Sequence, residues 1–279
     1  MLVQGRTGAR ARYSLWGVIA APVRALLGWL ERRTSIAAAF WGTLLGGLAL
    51  VLALLAGVAA IVDVVKEGGS QDLDEAVIRW VAANRDETVT GAALAVTHVG
   101  DFWPTVVVLS SGFWFMVGRR RWLSAIAILV AVAGGFLLNV LLKELFQRPR
   151  PLAEYRLLEP LGFSFPSGHA MVSASMYAVL VYLLVRGARP ATWRRALQAL
   201  MALLIPAIAA SRVYLGVHYP TDVAAGFLAG FSWALVILTA LELARHWRGR
   251  RDPEAPPTEE ATTPTRTAGM VPDAGEQAS

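Results

Sequence analysis

The sequence predicts an all-α fold: a polytopic membrane helical bundle with six transmembrane helices and both termini cytoplasmic. Three observations carry that expectation. The 279 residues are 56% hydrophobic and only 16% charged, far from the roughly 25% charged content of soluble domains. The apolar residues fall in uninterrupted blocks of spanning length, whereas a soluble core of this size scatters them at helix or strand period. Arginines cluster at alternate ends of those blocks, the mark of cytoplasmic loops.

The chain opens with a basic segment, residues 1–35, expected on the cytoplasmic side. Arg6, Arg10 and Arg12 precede an apolar run at 15–30 in the manner of a signal peptide. Cleavage there would export Arg32 and Arg33 and invert every later loop, so the run is read as an uncleaved, partly amphipathic segment. The first charge-free block, 36–62, is long enough to cross about 30 Å of hydrocarbon. Further spans are expected at 102–118, 122–142, 167–185, 196–215 and 223–241. The second is of minimal length, because Asp101 and Pro104 crowd its start.

Arg119 to Arg121, the Arg186 to Arg195 loop and the Arg245 to Arg251 flank then share one side with the N-terminus. Loops 63–101, 143–166 and 216–222 take the other, extracytoplasmic side. Within the first of these, residues 73–83 space apolar positions near a helical period, predicting a helix that either lies in the interface or serves as packing or a lid. Gly226 and Gly230 form a GxxxG pair, read as close packing within the bundle. Residues 36–245 thus form one membrane domain, and 246–279, rich in Pro, Thr, Glu and Ala, a cytoplasmic disordered tail.

The net charge of +6 hides an asymmetry, since six acidic residues face the single Arg266 after residue 251. The basic residues elsewhere sit at span ends, where they orient helices and meet anionic lipid, so nucleic acid is not read as a partner and the lipid bilayer is. Cysteine is absent, which excludes disulfides, a thiolate nucleophile and Cys-ligated metal.

Chemistry concentrates at three places that the loop parity puts on one membrane surface. The third span leads into Lys143 and Arg150-Pro151, the fourth begins at Pro166-Ser167-Gly168-His169, and the turn between the fifth and sixth carries Ser211-Arg212, His218 and Asp222. Ionisable residues at membrane depth are costly and become functional candidates when they converge. Lys143, Arg150 and Arg212 can surround a phosphate, the arginines with forked donors and the lysine with a compact charge. Ser167 and Gly168 open a helix, where free N–H groups and the dipole favour an anion and a glycine permits close approach. His218 and Asp222 are four residues apart, so the carboxylate can accept a proton from one ring nitrogen and leave the other to attack phosphorus. Taken singly, each cation would be a snorkelling anchor. Arg148 and Arg156 are read as loop charges in preference to a part in binding a diphosphate, His98 as an interfacial residue beside Asp101, and Tyr214 and Tyr219 as belt aromatics close to the motifs.

In order and spacing, these segments resemble the three signature motifs of the type 2 phosphatidic acid phosphatase (PAP2) superfamily, KxxxxxxRP, PSGH and SRxxxxxHxxxD, with no departure at a specified position. The resemblance covers Lys143 to Asp222. It implies that His218 is the nucleophile, Asp222 its orienting partner and His169 the general acid, with Lys143, Arg150, Ser167, Gly168 and Arg212 binding phosphoryl oxygens. The implied activity is hydrolysis of a lipid phosphate or diphosphate (a polyprenyl diphosphate, phosphatidic acid or phosphatidylglycerol phosphate) through a phosphohistidine, with no metal or other cofactor. A lipid phosphotransferase with the same intermediate and a lipid transporter or flippase are the alternative readings. The soluble vanadium haloperoxidases share these motifs, but the spans argue against that branch.

Overall fold

A computed structural model of the chain describes residues 36–187 and 190–251. Eight α-helices run through them: α1 (Ile36–Lys66), α2 (Gln71–Ala83), α3 (Glu87–Val99), α4 (Phe102–Gly118), α5 (Trp122–Phe146), α6 (Gly168–Gly187), α7 (Ala191–Tyr214) and α8 (Pro220–Arg251). A single 3-10 turn, Ala153–Tyr155, lies in the long connection between α5 and α6. No strand occurs among the described residues.

Five of these helices, α1, α5, α6, α7 and α8, are long and apolar enough to cross a membrane. Their outward faces carry large apolar side chains that water would not tolerate in such number, among them Trp41, Leu45 and Leu52 on α1 and Phe136, Leu137 and Leu141 on α5. The protein is an integral membrane protein.

The second expected span is corrected in form. At 17 residues α4 reaches only about 26 Å, and it does not qualify alone. It is long and apolar enough to cross only together with α3, to which it is joined across a 46° bend. The break falls at Gly100-Asp101, and α3 is a helix where the sequence suggested loop. A Cβ at Gly100 would stand 2.8 Å from Ile208 and 2.9 Å from His169, so the bend rests on a residue without a side chain. The Asp86 carboxylate caps the start of α3 by accepting from the Val89 N–H at 3.0 Å.

The helix expected at 73–83 is present as α2. At the other end of the chain α8 continues to Arg251, so residues 246–251, expected to begin the tail, are helical. Residues 1–35 and 252–279, with the expectations placed on them, lie outside the described residues.

Helix α6 is central, packing on α5, α7 and α8, while α1 leans on α8 and α3 on α7. Small residues bring α6 and α8 together: a Cβ at Gly226 would meet the Ser167 carbonyl oxygen at 2.6 Å, and one at Gly230 the Met171 carbonyl oxygen at 2.3 Å. The GxxxG pair therefore serves packing inside the chain, as the sequence suggested. Met116, Ile128, Val179, Leu183, Ile237 and Leu241 fill the interior toward the far end of the bundle. That leaves the other end of the same helices for polar groups.

Candidate active site

The C-terminal ends of α5 and α7 and the N-terminal ends of α6 and α8 meet at one end of the bundle. Lys143, Gly168, Arg212 and Asp222 sit on those four ends, with Arg150 and His218 in the adjoining loops. Their charges act on one another: Lys143 lies within electrostatic reach of Arg150, Arg212 and Asp222, His169 of Arg212 and Arg150, and His218 of Arg150 and Lys143. All eight residues singled out by sequence are brought to one place.

His218 is 2% exposed and Asp222 is fully buried. Their closest atoms, Nδ1 and Oδ2, are 3.6 Å apart, longer than a hydrogen bond. Ser164 stands between them, its hydroxyl donating to Asp222 Oδ2 at 2.5 Å and lying 3.4 Å from His218 Nδ1. The Ser164 oxygen can accept from an Nδ1–H while its own proton goes to the carboxylate, which fixes the tautomer with a lone pair on Nε2. Nε2 lies 3.2 Å from Arg150 Nη1. Burial, reinforced by Arg150 and Lys143 and opposed by Asp222, pushes the imidazole down to about 3, so the ring is neutral at ordinary pH and its Nε2 lone pair accepts from Arg150.

Asp222 is itself tightly held. It reaches back to the Tyr219 N–H at 2.9 Å, the reciprocal half of a capping box at the start of α8. Its other oxygen accepts from Arg148 Nη1 at 2.7 Å. Arg148 is therefore no loop charge: it is 8% exposed, pairs with the buried Asp74 at 2.8 Å, donates to Thr221 and Gln71, and lies 4.3 Å from the centre of the Tyr219 ring. Two buried carboxylates on distant segments need a fork of donors between them, and a guanidinium supplies it. Arg156, by contrast, pairs with the exposed Glu159 at 3.1 Å, as a loop charge would.

The second histidine also has a carboxylate. His169 Nε2 is 2.9 Å from Asp101 Oδ1, and Asp101 Oδ2 is 2.6 Å from His98 Nδ1. Asp101 thus holds the histidine at the start of α6 from the bend between α3 and α4. The adjacency of His98 and Asp101 was the only trace of this in the sequence.

The cations divide by how they are held. Arg150 spends its donors on backbone, with Nε on Gly162 O at 2.9 Å, Nη1 on Val217 O at 2.8 Å and Nη2 on Leu161 O at 3.0 Å, so one side chain orders both loops around His218. Lys143 Nζ donates to the Phe163 carbonyl. Arg212, 4% exposed, donates from Nη1 to Thr97 Oγ1 at 2.6 Å, while its Nε has no hydrogen-bond partner among the described residues. The buried Ser167 hydroxyl is likewise without one. Beneath the turn, Asn139 donates to the Pro166 carbonyl at 3.2 Å, and a Cβ at Gly168 would stand 2.9 Å from the Asn139 oxygen, so a side chain there would have to displace the Asn139 amide.

A helical membrane protein that gathers a neutral buried imidazole, a second histidine on a carboxylate and three further cations at one end of its bundle has the equipment of phosphoryl chemistry. Residues 124–245 match the PAP2 superfamily. The chain is 33% identical over 165 residues to phosphatidylglycerophosphatase B of Bacillus subtilis, spanning 57% of this chain and 79% of that one. It is 27% identical over 182 residues to the undecaprenyl-diphosphatase of Sulfolobus acidocaldarius, spanning 63% and 82%. Among solved structures, the transmembrane PAP2 type phosphatidylglycerolphosphate phosphatase of Bacillus subtilis superposes with a TM-score of 0.60 at 30% identity, covering 70% of this chain and 96% of that one. The chain belongs to the PAP2 superfamily.

Proposed function

We propose that the protein is a lipid phosphatase that removes phosphate from a lipid monophosphate or diphosphate at the extracytoplasmic face, through a phosphohistidine on His218. The lipid alcohol or lipid phosphate is the leaving group. Nε2 of His218 attacks phosphorus as the bond to the leaving oxygen breaks, and His169 gives that oxygen a proton. A water then loses its proton to His169 and attacks the phosphorus, breaking the P–N bond and restoring His218. Lys143, Arg150 and Arg212, with the Ser167 hydroxyl and the first N–H groups of α6, balance the charge spread over the equatorial oxygens. The hydrogen-bonding capacity left on Ser167 Oγ and Arg212 Nε fits a role in gripping such oxygens.

The observation that carries the reading is the meeting of Nε2 of a neutral His218 with Arg150, at 3.2 Å, with Lys143 within electrostatic reach of both His218 and Arg212. Relatives named for phosphatidylglycerophosphate and undecaprenyl diphosphate support lipid phosphates as the substrate class. An isoprenoid carrier diphosphate is the first candidate, because an outward-facing site meets it where envelope synthesis releases it. The test is phosphate release from a panel of lipid monophosphates and diphosphates, with and without EDTA. We expect EDTA-insensitive activity that vanishes in His218→Ala. Strict dependence on added magnesium would sink the metal-free mechanism, and a phosphorylated acceptor lipid without free phosphate would replace hydrolysis by transfer.

A further inference from the structure

The end of the bundle opposite the candidate site carries a second place for an anion. A cleft of about 310 Å³ opens between the turn after α4, the start of α5 and the last turns of α6 and α8. Five arginines line it, Arg120, Arg121, Arg186, Arg245 and Arg248, together with Ser124. Their only acidic partner among the described residues is Glu242, which pairs with Arg186 at 2.5 Å and Arg245 at 2.6 Å. Arg245 also donates to the buried Ser124 hydroxyl at 2.9 Å, which fixes the inner wall. Arg120, Arg121 and Arg248 have no side-chain partner among the described residues and are exposed at the mouth.

Three further features belong to this cleft. Helix α5 begins in this cleft with no side-chain cap, so its first N–H groups and its dipole add to the positive field. Arg120 takes a left-handed backbone at φ 55, which no glycine is there to ease, in a turn that sets three consecutive arginines beside that helix start. Trp122, 56% exposed, stands next to them as an aromatic of the kind that sits at headgroup level.

From this cleft we infer a binding site for the phosphate of an anionic phospholipid in the leaflet opposite the candidate active site. Helix α5, with 25 residues, separates the two by about 37 Å along its axis. The lipid is therefore a bound structural partner and not a substrate in transit. Burying a lipid phosphate here would neutralise arginines that crowd one another between α5, α6 and α8, the same helices whose other ends carry Lys143, His169 and Asp222.

The experiment uses the full chain in a neutral detergent, with phosphatidylglycerol, phosphatidylcholine or inorganic phosphate titrated in and the melting temperature read out. Phosphatidylglycerol is a phosphodiester, so it is no substrate for a monoester or diphosphate phosphatase. It is expected to raise the melting temperature at concentrations where phosphatidylcholine does not. In Arg121→Gln/Arg248→Gln, two exposed positions, the phosphatidylglycerol midpoint is expected to weaken about tenfold or more, while the melting temperature without lipid and the hydrolysis of a short-chain lipid phosphate stay unchanged. Equal protection by the two lipids, or an unshifted midpoint in the double variant, would overturn the inference. Inorganic phosphate matching phosphatidylglycerol, with both effects lost in the double variant, would make the ligand a free ion and overturn its lipid source.

Discussion

Each of the two histidines at the candidate site is governed by a carboxylate, and the two arrangements differ in a way that matters for their roles. His218 reaches Asp222 through Ser164 and is nearly fully buried, which keeps the ring neutral and leaves Nε2 beside Arg150. His169 meets Asp101 directly at 2.9 Å, and Asp101 is half exposed, so this pair can exchange protons with water. A group that donates and then recovers a proton in each turnover needs that access, and a nucleophile does not. In the proposed mechanism Asp101 is a positioning residue for His169. Asp101→Asn is expected to lower kcat about 10- to 100-fold on a lipid alcohol leaving group. The loss should shrink with a nitrophenyl leaving group, which departs without a proton. An equal loss on both substrates would mean that Asp101 acts only on structure.

At the scale of elements, the site depends on how closely α6 and α8 approach. The Ser167 N–H donates to the Asp222 carbonyl at 3.0 Å, so the start of α6 is stitched to the first turn of α8. That contact is possible because Gly226 and Gly230 let the Ser167 and Met171 carbonyls lie against α8. Gly230→Leu would drive a side chain into the Met171 carbonyl, where a Cβ alone would stand at 2.3 Å. We expect a loss of about 1–3 kcal/mol of stability from overpacking and a fall in kcat/KM, since His169 and the first N–H groups of α6 would move away from Asp222 and the start of α8. Thermal melts and steady-state kinetics on the same preparation check both. The bend between α3 and α4 belongs to this scale as well, because Gly100 lets Asp101 and His169 come together.

For the whole molecule, the distribution of charge predicts the orientation. The arginine cleft and the candidate site lie at opposite ends of the same helices, and basic residues mark the cytoplasmic side. The chain has no cysteine, so single introduced thiols report orientation without background. Leu161, 95% exposed beside the candidate site, should as Leu161→Cys be labelled in intact cells by a membrane-impermeant maleimide. Arg194→Cys, exposed on the α6 to α7 side, should react only after permeabilisation. The reverse pattern would turn the site to the cytoplasm.

Much of this was legible in the order of residues alone. Apolar blocks of spanning length require helices, because a lipid interior leaves backbone groups no other partner. The alternation of arginines predicts which helix ends share a side, and so puts Lys143, His169, Arg212 and His218 together from sequence alone. What required the tertiary structure was the choice of partners. Asp74, Asp101 and Ser164 lie on segments whose local pattern says nothing of phosphate, and Arg148 looked like one more loop charge. Helix periodicity tells which face is apolar but not which distant carboxylate will meet a buried guanidinium or imidazole. That is decided only when α2, α3 and the α5 to α6 loop pack against α7 and α8 and the cost of an unpaired buried charge selects the pairings.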